Sequence, residues 1–259
     1  MNMTAQRELA RLLASLRRDR RQQSGLEPRL VPPGSATAYR VAGMVAEELG
    51  WPVLGWKIAA FKEEMQQALR TDSPIYGRTY FVQETPFSTV HAKLASPIPE
   101  VEYQARLGVD LPSREKPYSQ DEVTDAVASL HPGLELAECR FVHDAAFPPL
   151  PAILADGAGS GTIIYGPAIA DWKTRDIAGQ EATLTSNGRL RRKGTAADAL
   201  DHPVAPLTWL ANELSRTGVG MKAGQMVSTG TLTGMLAPKP GETYVADFGP
   251  FGGVTVAFT

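Results

Sequence analysis

The chain has 259 residues, 43% of them hydrophobic and 21% charged, with a formal net charge of −2. These values are ordinary for a globular protein and leave no overall positive field to attract nucleic acid or an anionic membrane. The single cysteine, Cys139, excludes an internal disulfide and a cysteine-rich zinc site. It is typical of a reducing compartment, and the N-terminus shows no signal-peptide pattern, so we expect a cytoplasmic protein without a membrane segment.

The first 70 residues are predicted to form a helical region. Residues 4–21 and 36–49 carry apolar side chains at helical spacing, and residues 62–70 indicate a third, short helix. A short apolar run at Val53–Ala60 predicts the first strand. Four arginines close the first helix, and we interpret them as its solvated end rather than as a nucleic-acid patch: Arg17, Arg18, Arg20 and Arg21.

Residues 71–259 are predicted to form one compact unit rich in short strands, because 24 glycines and 20 prolines in the chain imply many turns. The predicted strands are Thr79–Val82, Val101–Val109, Leu134–Phe141, Gly161–Tyr165, Glu181–Thr185, Gln225–Gly230, Tyr244–Asp247 and Val254–Phe258. Two helices interrupt them, Gln120–Leu130 behind a capping box and Val204–Thr217. The pattern indicates an α+β protein with an N-terminal helical arm.

Acidic side chains within predicted strands are the first candidate site. In the segment EVEYQ, alternation places Glu100, Glu102 and Gln104 on one face of a strand. Glu135 lies in an apolar strand, where a carboxylate needs a cation, a metal or hydrogen bonds. Oxygen ligands of this kind suit Mg²⁺ or a similar hard cation. A solvent-facing strand of alternating polarity remains the alternative for the Glu100–Gln104 segment.

A lysine and two glycine-rich segments are the other candidates. Lys57 interrupts the apolar run VLGWKIAA and is either a functional group or an edge-strand lysine that blocks unwanted pairing. The loop ADGAGSG at 155–161 is able to present amides and Ser160 to an anionic ligand. The segment VSTGTLTGM at 227–235 offers hydroxyls and amides for a carboxylate. For both segments the alternative is a plain turn.

The order and the amino-acid sequences of these blocks resemble those of the 2-keto-4-pentenoate hydratase/4-oxalocrotonate decarboxylase family of the fumarylacetoacetate hydrolase-like superfamily. The matching blocks are GWKIA, PEVEYQARLGVDL, LELAECRF, LADGAGSG and HPVAPLTWLANELSRTGVGMKAGQMVSTGTLTG, which together span nearly the whole chain. The resemblance implies a fumarylacetoacetate hydrolase-like mixed β-roll with a helical N-terminal region. It also implies a small 2-oxo acid substrate and assembly as a homo-oligomer.

The same resemblance assigns roles to residues of this chain. It implies that Glu100, Glu102 and Glu135 bind Mg²⁺ or Mn²⁺, and that Lys57 and Asp156 are the catalytic candidates for proton transfer and positioning. It further implies that the substrate pocket is lined by Ser160, Thr229, Gly230, Thr231 and Leu232.

Several positions depart from the family pattern. Ala59 replaces a glycine after Lys57, Gly157 and Gly159 replace an asparagine and a serine, and Ile75 stands where some hydratases carry an acid. Because these changes surround one pocket, they suggest an altered substrate or reaction.

Three functional hypotheses follow. The first is a metal-dependent lyase that hydrates or decarboxylates small 2-oxo or 2-hydroxydienoic acids, such as 2-hydroxypenta-2,4-dienoate, in the catabolism of aromatic compounds. The second is a relative with altered chemistry, such as an acylpyruvate C–C hydrolase, a tautomerase or a cyclase. The third is a non-catalytic subunit in complex with a homologous hydratase or decarboxylase.

Overall fold

A computed structural model describes all residues of the chain, Met1–Thr259, and shows an α+β architecture. The helices are α1 (Met3–Asp19), α2 (Ser35–Leu49), α3 (Glu63–Leu69), α4 (Gln120–Ala126), α5 (Leu150–Ala155), α6 (Ala196–Leu200) and α7 (Val204–Arg216). The strands are β1 (Gly55–Ala59), β2 (Ile75–Thr79), β3 (Phe81–Glu84), β4 (Phe87–Thr89), β5 (Ile98–Leu107), β6 (Val127–Ala137), β7 (Thr162–Tyr165), β8 (Ala182–Ser186), β9 (Arg189–Gly194), β10 (Met226–Ser228), β11 (Thr243–Asp247) and β12 (Gly253–Phe258). The predicted α+β class is confirmed.

The larger sheet curls into a roll. Its seven strands lie in the order β2-β1-β10-β5-β6-β7-β3, so β2 and β3 form its two opposite edges. Only Tyr80 separates these strands along the chain, and consecutive Cα atoms lie about 3.8 Å apart. The two edges therefore meet at Tyr80, and one face of the sheet becomes a concave interior.

The two faces of this sheet differ in composition. The outer face carries large buried side chains such as Trp56, Tyr103 and Leu134, which belong to one apolar core with α7 and the five-stranded sheet β4-β12-β11-β8-β9. Alternate residues of the same strands, among them Lys57 and Glu102, face the concave interior. A second apolar cluster joins α1, α2 and α5 at one end of the roll.

The structure corrects two predicted elements. The helix predicted over Gln120–Leu130 begins as expected behind the Ser119 capping box, but it ends at Ala126. From Val127 the chain is strand β6, because backbone pairing with β5 outweighs the weak helical pattern of this stretch. The predicted strand Thr79–Val82 is likewise divided at Tyr80 between β2 and β3.

The N-terminal residues contribute to both parts of the structure. The three predicted helices are present as α1, α2 and α3, whereas β1 pairs with β2 and β10 inside the seven-stranded sheet. Strands β4 and β9 and helices α5 and α6 lie outside the predicted elements. None of the helices combines the length and the apolar character needed to cross a membrane.

Candidate metal centre

Three glutamates meet in the concave interior of the roll. Glu100 and Glu102 lie on one face of β5, and Glu135 of β6 is directly opposite Glu100 in the strand pairing. One carboxylate oxygen from each lies within 4.8 Å of the others, and their exposed fractions are only 7%, 1% and 0%. The structure thus places the sequence-predicted acids together, and we call Glu100, Glu102 and Glu135 the glutamate triad.

Lys57 approaches this triad from the other side of the interior. Its Nζ lies 3.5 Å from Oε2 of Glu135, and both side chains are buried. Strands β1 and β6 are three positions apart in the sheet, about 14 Å at roughly 4.8 Å per strand. Only the curl of the sheet allows Lys57 and Glu135 to contact each other, so this pairing depends on closure of the roll.

The triad holds like charges in a dry environment. Burial away from water, followed by the negative charges of Glu135 and Glu100, raises the pKa of Glu102 well above its ordinary value. Burial likewise raises the pKa of Glu135 to about 7, although Lys57 opposes the shift. Burial alone would lower the pKa of Lys57, but the attraction of the carboxylates, foremost Glu135, outweighs it and the pKa is raised.

Neighbouring groups orient Glu102. Ser228 Oγ and the amide of Gly230 both donate hydrogen bonds to its Oε2, the latter at 2.7 Å. Gln104 Nε2 donates in turn to Ser228 Oγ at 2.9 Å. These contacts leave Oε1 of Glu102 available and fix the direction in which it points, as outer partners do for metal ligands.

The triad fits a divalent hard cation. Both oxygens of Glu135 are buried and lack a hydrogen-bond partner, which is unfavourable for a carboxylate that has nothing else to bind. Three ionised carboxylates and one protonated Lys57 carry a net charge of −2, because −3 and +1 sum to −2, and a divalent cation would neutralise it. The all-oxygen donor set is the one that Mg²⁺ and Mn²⁺ prefer.

Asp156 lies in a different buried cluster. Its carboxylate accepts hydrogen bonds from Arg140 Nε at 2.8 Å and from the Arg140 amide at 3.1 Å. Arg17 Nη2 lies 3.4 Å from its Oδ1, and all three side chains are buried. We call Arg17, Arg140 and Asp156 the arginine cluster. It holds two guanidinium groups and one carboxylate.

The predicted substrate-binding residues are largely engaged within the chain. Ser160 Oγ and Thr79 Oγ1 lie 3.1 Å apart, and Thr229 Oγ1 donates to the Tyr103 carbonyl at 3.1 Å. Gly230 donates to the triad, as described above. The amide of Leu232 donates to Val101, and Thr231 is half-buried. The segment 229–232 therefore lies beside the triad, and the Gly230 amide helps to orient Glu102.

Two buried arginines were missed or misread from the sequence. Arg17 was expected at a solvated helix end, but only 7% of it is exposed. It continues the stripe of Leu9 and Leu13 at intervals of four residues, which places it on the buried face of α1. That spacing was the sequence signal for the burial of Arg17. No comparable spacing in LELAECRF indicates that Arg140 is buried.

The comparisons with known proteins agree with this geometry. The profile of the family "Fumarylacetoacetate (FAA) hydrolase C-terminal" matches residues 59–258. The 2-keto-4-pentenoate hydratase of Paraburkholderia xenovorans (strain LB400) is 30% identical over 216 residues, 81% of this chain and 77% of that protein. The 4-oxalocrotonate decarboxylase of Pseudomonas putida is 26% identical over 214 residues, 82% of this chain and 80% of that protein.

A solved structure shows the same fold. The 4-oxalocrotonate decarboxylase from Pseudomonas putida G7, complexed with magnesium and adipate, superposes with a TM-score of 0.90 at 22% identity, covering 100% of this chain and 99% of that one. The match confirms the predicted β-roll fold. The chain belongs to the fumarylacetoacetate hydrolase family, and its relatives in that family are hydratase and decarboxylase enzymes.

Proposed function

We propose that this chain is a metal-dependent lyase that hydrates or decarboxylates small 2-oxo or 2-hydroxydienoic acids, such as 2-hydroxypenta-2,4-dienoate, in the catabolism of aromatic compounds. The observation that carries the proposal is the buried glutamate triad with Lys57 in contact, in a chain whose relatives are named for these reactions. Charged groups are costly to bury unless they are paired within the chain or bind a ligand, and the carboxylates of the triad outnumber the cation beside them.

The glutamate triad would hold Mg²⁺ or Mn²⁺. When bound, the cation would supply Lewis acidity toward the carboxylate and 2-oxo oxygens of the substrate. The chain's own contribution is to keep the carboxylates convergent and dry, with Glu102 oriented by Ser228 and Gly230.

Lys57 is the proposed proton-transfer group. Its Nζ carries a proton in the resting site, because the adjacent carboxylates favour the charged form. A buried ammonium next to the triad is able to hold the substrate's carboxylate, or to donate a proton to the carbon chain as water adds or CO₂ leaves.

Asp156 is proposed as a positioning residue. Both of its oxygens accept hydrogen bonds from Arg140, so the carboxylate is held in place and its lone pairs are already engaged within the chain. The geometry thus favours positioning over proton transfer for this residue.

The departures in the loop after Asp156 favour a second candidate, an enzyme with altered chemistry such as an acylpyruvate hydrolase. Gly157 and Gly159 both have positive φ, 76° and 71°, a conformation that favours glycine. The backbone therefore explains why glycine is accepted there, but the loss of two polar side chains still changes what this loop offers to a substrate.

We also propose that the protein acts in the cytoplasm as a homo-oligomer, and that a homologous decarboxylase or hydratase is a partner. Its lone, half-buried Cys139 supports a reducing compartment, and relatives of both activities support such a pair. Light scattering of the purified protein tests the oligomer, since a monomeric mass would contradict it. Co-purification with the homologous enzyme tests the partner, and independent elution of the two would contradict it.

The central experiment is calorimetric titration of Mg²⁺ and Mn²⁺ into metal-free protein, with and without oxalate, followed by turnover assays. We expect binding that oxalate strengthens, and consumption of 2-hydroxypenta-2,4-dienoate that stops when metal is removed. The exposed Glu115→Gln variant serves as the control and should behave as wild type. Turnover of acylpyruvates alone would favour the second candidate, and absence of metal binding even with oxalate would contradict the lyase proposal.

A further inference from the structure

Arg17 lies on α1, outside residues 59–258 that match the family profile, yet its guanidinium reaches the loop behind the glutamate triad. We infer that Arg17 is a positioning residue of the metal centre, which acts by fixing the peptide group between Ser160 and Gly161. The inference rests on the proposed metal-dependent function and extends it to a residue of the N-terminal helix.

The carbonyl end of this peptide is held by two arginines. Arg17 Nη1 and Arg140 Nη2 each donate to the Ser160 carbonyl oxygen at 3.0 Å. Arg17 Nη2 also donates to the Asp156 carbonyl at 2.6 Å, so one guanidinium spans the start and the end of the loop. A carbonyl oxygen has two lone pairs, and charged donors occupy both sites here.

The amide end of the same peptide faces the triad. The N–H of Gly161 favours the ionised form of the Glu135 carboxylate and opposes the rise of its pKa, although neither oxygen of Glu135 has a hydrogen-bond partner of normal geometry. Because a peptide group is planar, an arginine that fixes its C=O also fixes the direction of its N–H. Arg17 thereby helps to set the environment of a proposed metal ligand that it never touches.

Close packing around the loop transmits this restraint. A Cβ on Gly161 would lie 1.9 Å from the Leu136 carbonyl oxygen, next to Glu135 in β6. A Cβ on Gly77 would lie 1.8 Å from the Gly157 carbonyl oxygen, and Gly77 pairs with Lys57 across β2 and β1. The loop that Arg17 holds is therefore in contact with β6, which carries Glu135, and with β2, which pairs with the strand of Lys57.

A purely structural role would look different in solution. If Arg17 only docks α1 onto the roll, its loss lowers the melting temperature but leaves the metal affinity of the folded protein unchanged. If Arg17 positions the Ser160–Gly161 peptide, the affinity of the folded protein falls as well, as it does when outer partners of metal ligands are removed.

The test is Mn²⁺ titration by calorimetry into metal-free wild type, Arg17→Met, Arg17→Lys and the control Arg11→Met, at a temperature where circular dichroism shows each to be folded. Arg11 lies on the same helix but is exposed and pairs only with Glu48. We expect Arg17→Met to bind Mn²⁺ about 10–100-fold more weakly than wild type. Arg17→Lys, which keeps the charge and reaches one carbonyl, should recover part of the loss, and Arg11→Met should match wild type.

The outcomes separate this inference from the proposed function. Wild-type affinity in Arg17→Met, with or without a lower melting temperature, would overturn the positioning role alone. Failure of the wild type to bind Mn²⁺ would overturn the proposed function and this role with it. Should Arg17→Met not fold, Arg17→Lys carries the test, and an affinity equal to wild type in that variant would count against the inference.

Discussion

The molecule buries two charged clusters on either side of one short loop, and they are built on opposite plans. The glutamate triad with Lys57 has three carboxylates and one cation, and both oxygens of Glu135 lack a hydrogen-bond partner. The arginine cluster has two guanidiniums and one carboxylate, and every oxygen of Asp156 accepts at least one hydrogen bond. The two clusters are buried to a similar extent, but their carboxylate oxygens differ in whether they have hydrogen-bond partners.

This difference separates a ligand site from a support. Charges that find their partners within the chain stabilise one arrangement and leave little to offer a ligand. Charges that repel one another and lack partners are tolerated where an outside group completes them. Burial of acidic residues by itself would not have told the two clusters apart, whereas the carboxylate oxygens do: both of Glu135 lack a hydrogen-bond partner and both of Asp156 have one.

The largest effect is expected from Glu102→Gln. The neutral amide removes a proposed metal ligand, so turnover should fall about 10³-fold or more, toward the metal-free rate. The melting temperature of the metal-free protein should stay the same or rise, because one of three repelling carboxylates is gone. Steady-state assays with paired thermal melts check both points. A metal-free melting temperature several degrees below that of Glu115→Gln would show that the triad is a structural network instead.

Lys57→Met is expected to lower kcat by about 10²–10³-fold, the usual contribution of a positioned proton donor. The side chain keeps its length and its apolar stem, so the fold should persist. Assays with 2-hydroxypenta-2,4-dienoate should show the loss mainly in kcat, and the exposed Lys116→Met variant provides the comparison. An unchanged kcat would remove Lys57 from the mechanism.

Asp156→Asn tests the arginine cluster. It leaves two buried guanidiniums without their salt-bridge partner, which should lower the free energy of unfolding by about 3 kcal/mol, roughly a hundredfold in the equilibrium constant. Urea denaturation measures this change. The matched variant Asp125→Asn breaks an exposed pair with Lys173 and should cost about 1 kcal/mol or less. Similar losses in the two variants would mean that the buried cluster contributes no more than a surface pair.

The smallest effect is a pH dependence of metal affinity. Because burial raises the pKa of Glu135 to about 7, this carboxyl is protonated below that pH and must lose its proton to bind a cation. The pKa values of Glu100 and Glu102 are raised as well, so affinity should rise with pH through 7. Calorimetry in two buffers of different ionisation enthalpy should show more protons released at pH 6 than at pH 8. Equal release at both pH values would contradict a raised pKa.

Much of this site was accessible from the sequence, and the reasons are physical. Strand alternation brings Glu100 and Glu102 to one face, and an acid in the apolar run around Glu135 requires a partner. The convergence of β5 and β6 was not accessible from local pattern, because it depends on pairing between distant segments. Family resemblance supplied that link.

Other features were inaccessible for equally definite reasons. The stretch Val127–Leu130 follows a well-capped helix and reads as its continuation, and only its pairing with β5 makes it a strand. Arg17 was interpreted as one of four surface arginines because the run of positive charge was given more weight than the position of Arg17 on the helix. The division at Tyr80 has no local signal, since the residues on both sides favour strands.

The distance in sequence between the residues of the centre affects the order of folding. The glutamate triad and Lys57 come from strands spread between residues 55 and 137, and Ser228 of β10 completes them. Contacts between residues so distant in sequence form slowly, because long loops must close before strand pairing can stabilise the fold. The centre exists only after β1, β10, β5 and β6 have paired, so a metal that binds there would stabilise the finished roll and have little affinity for its precursors.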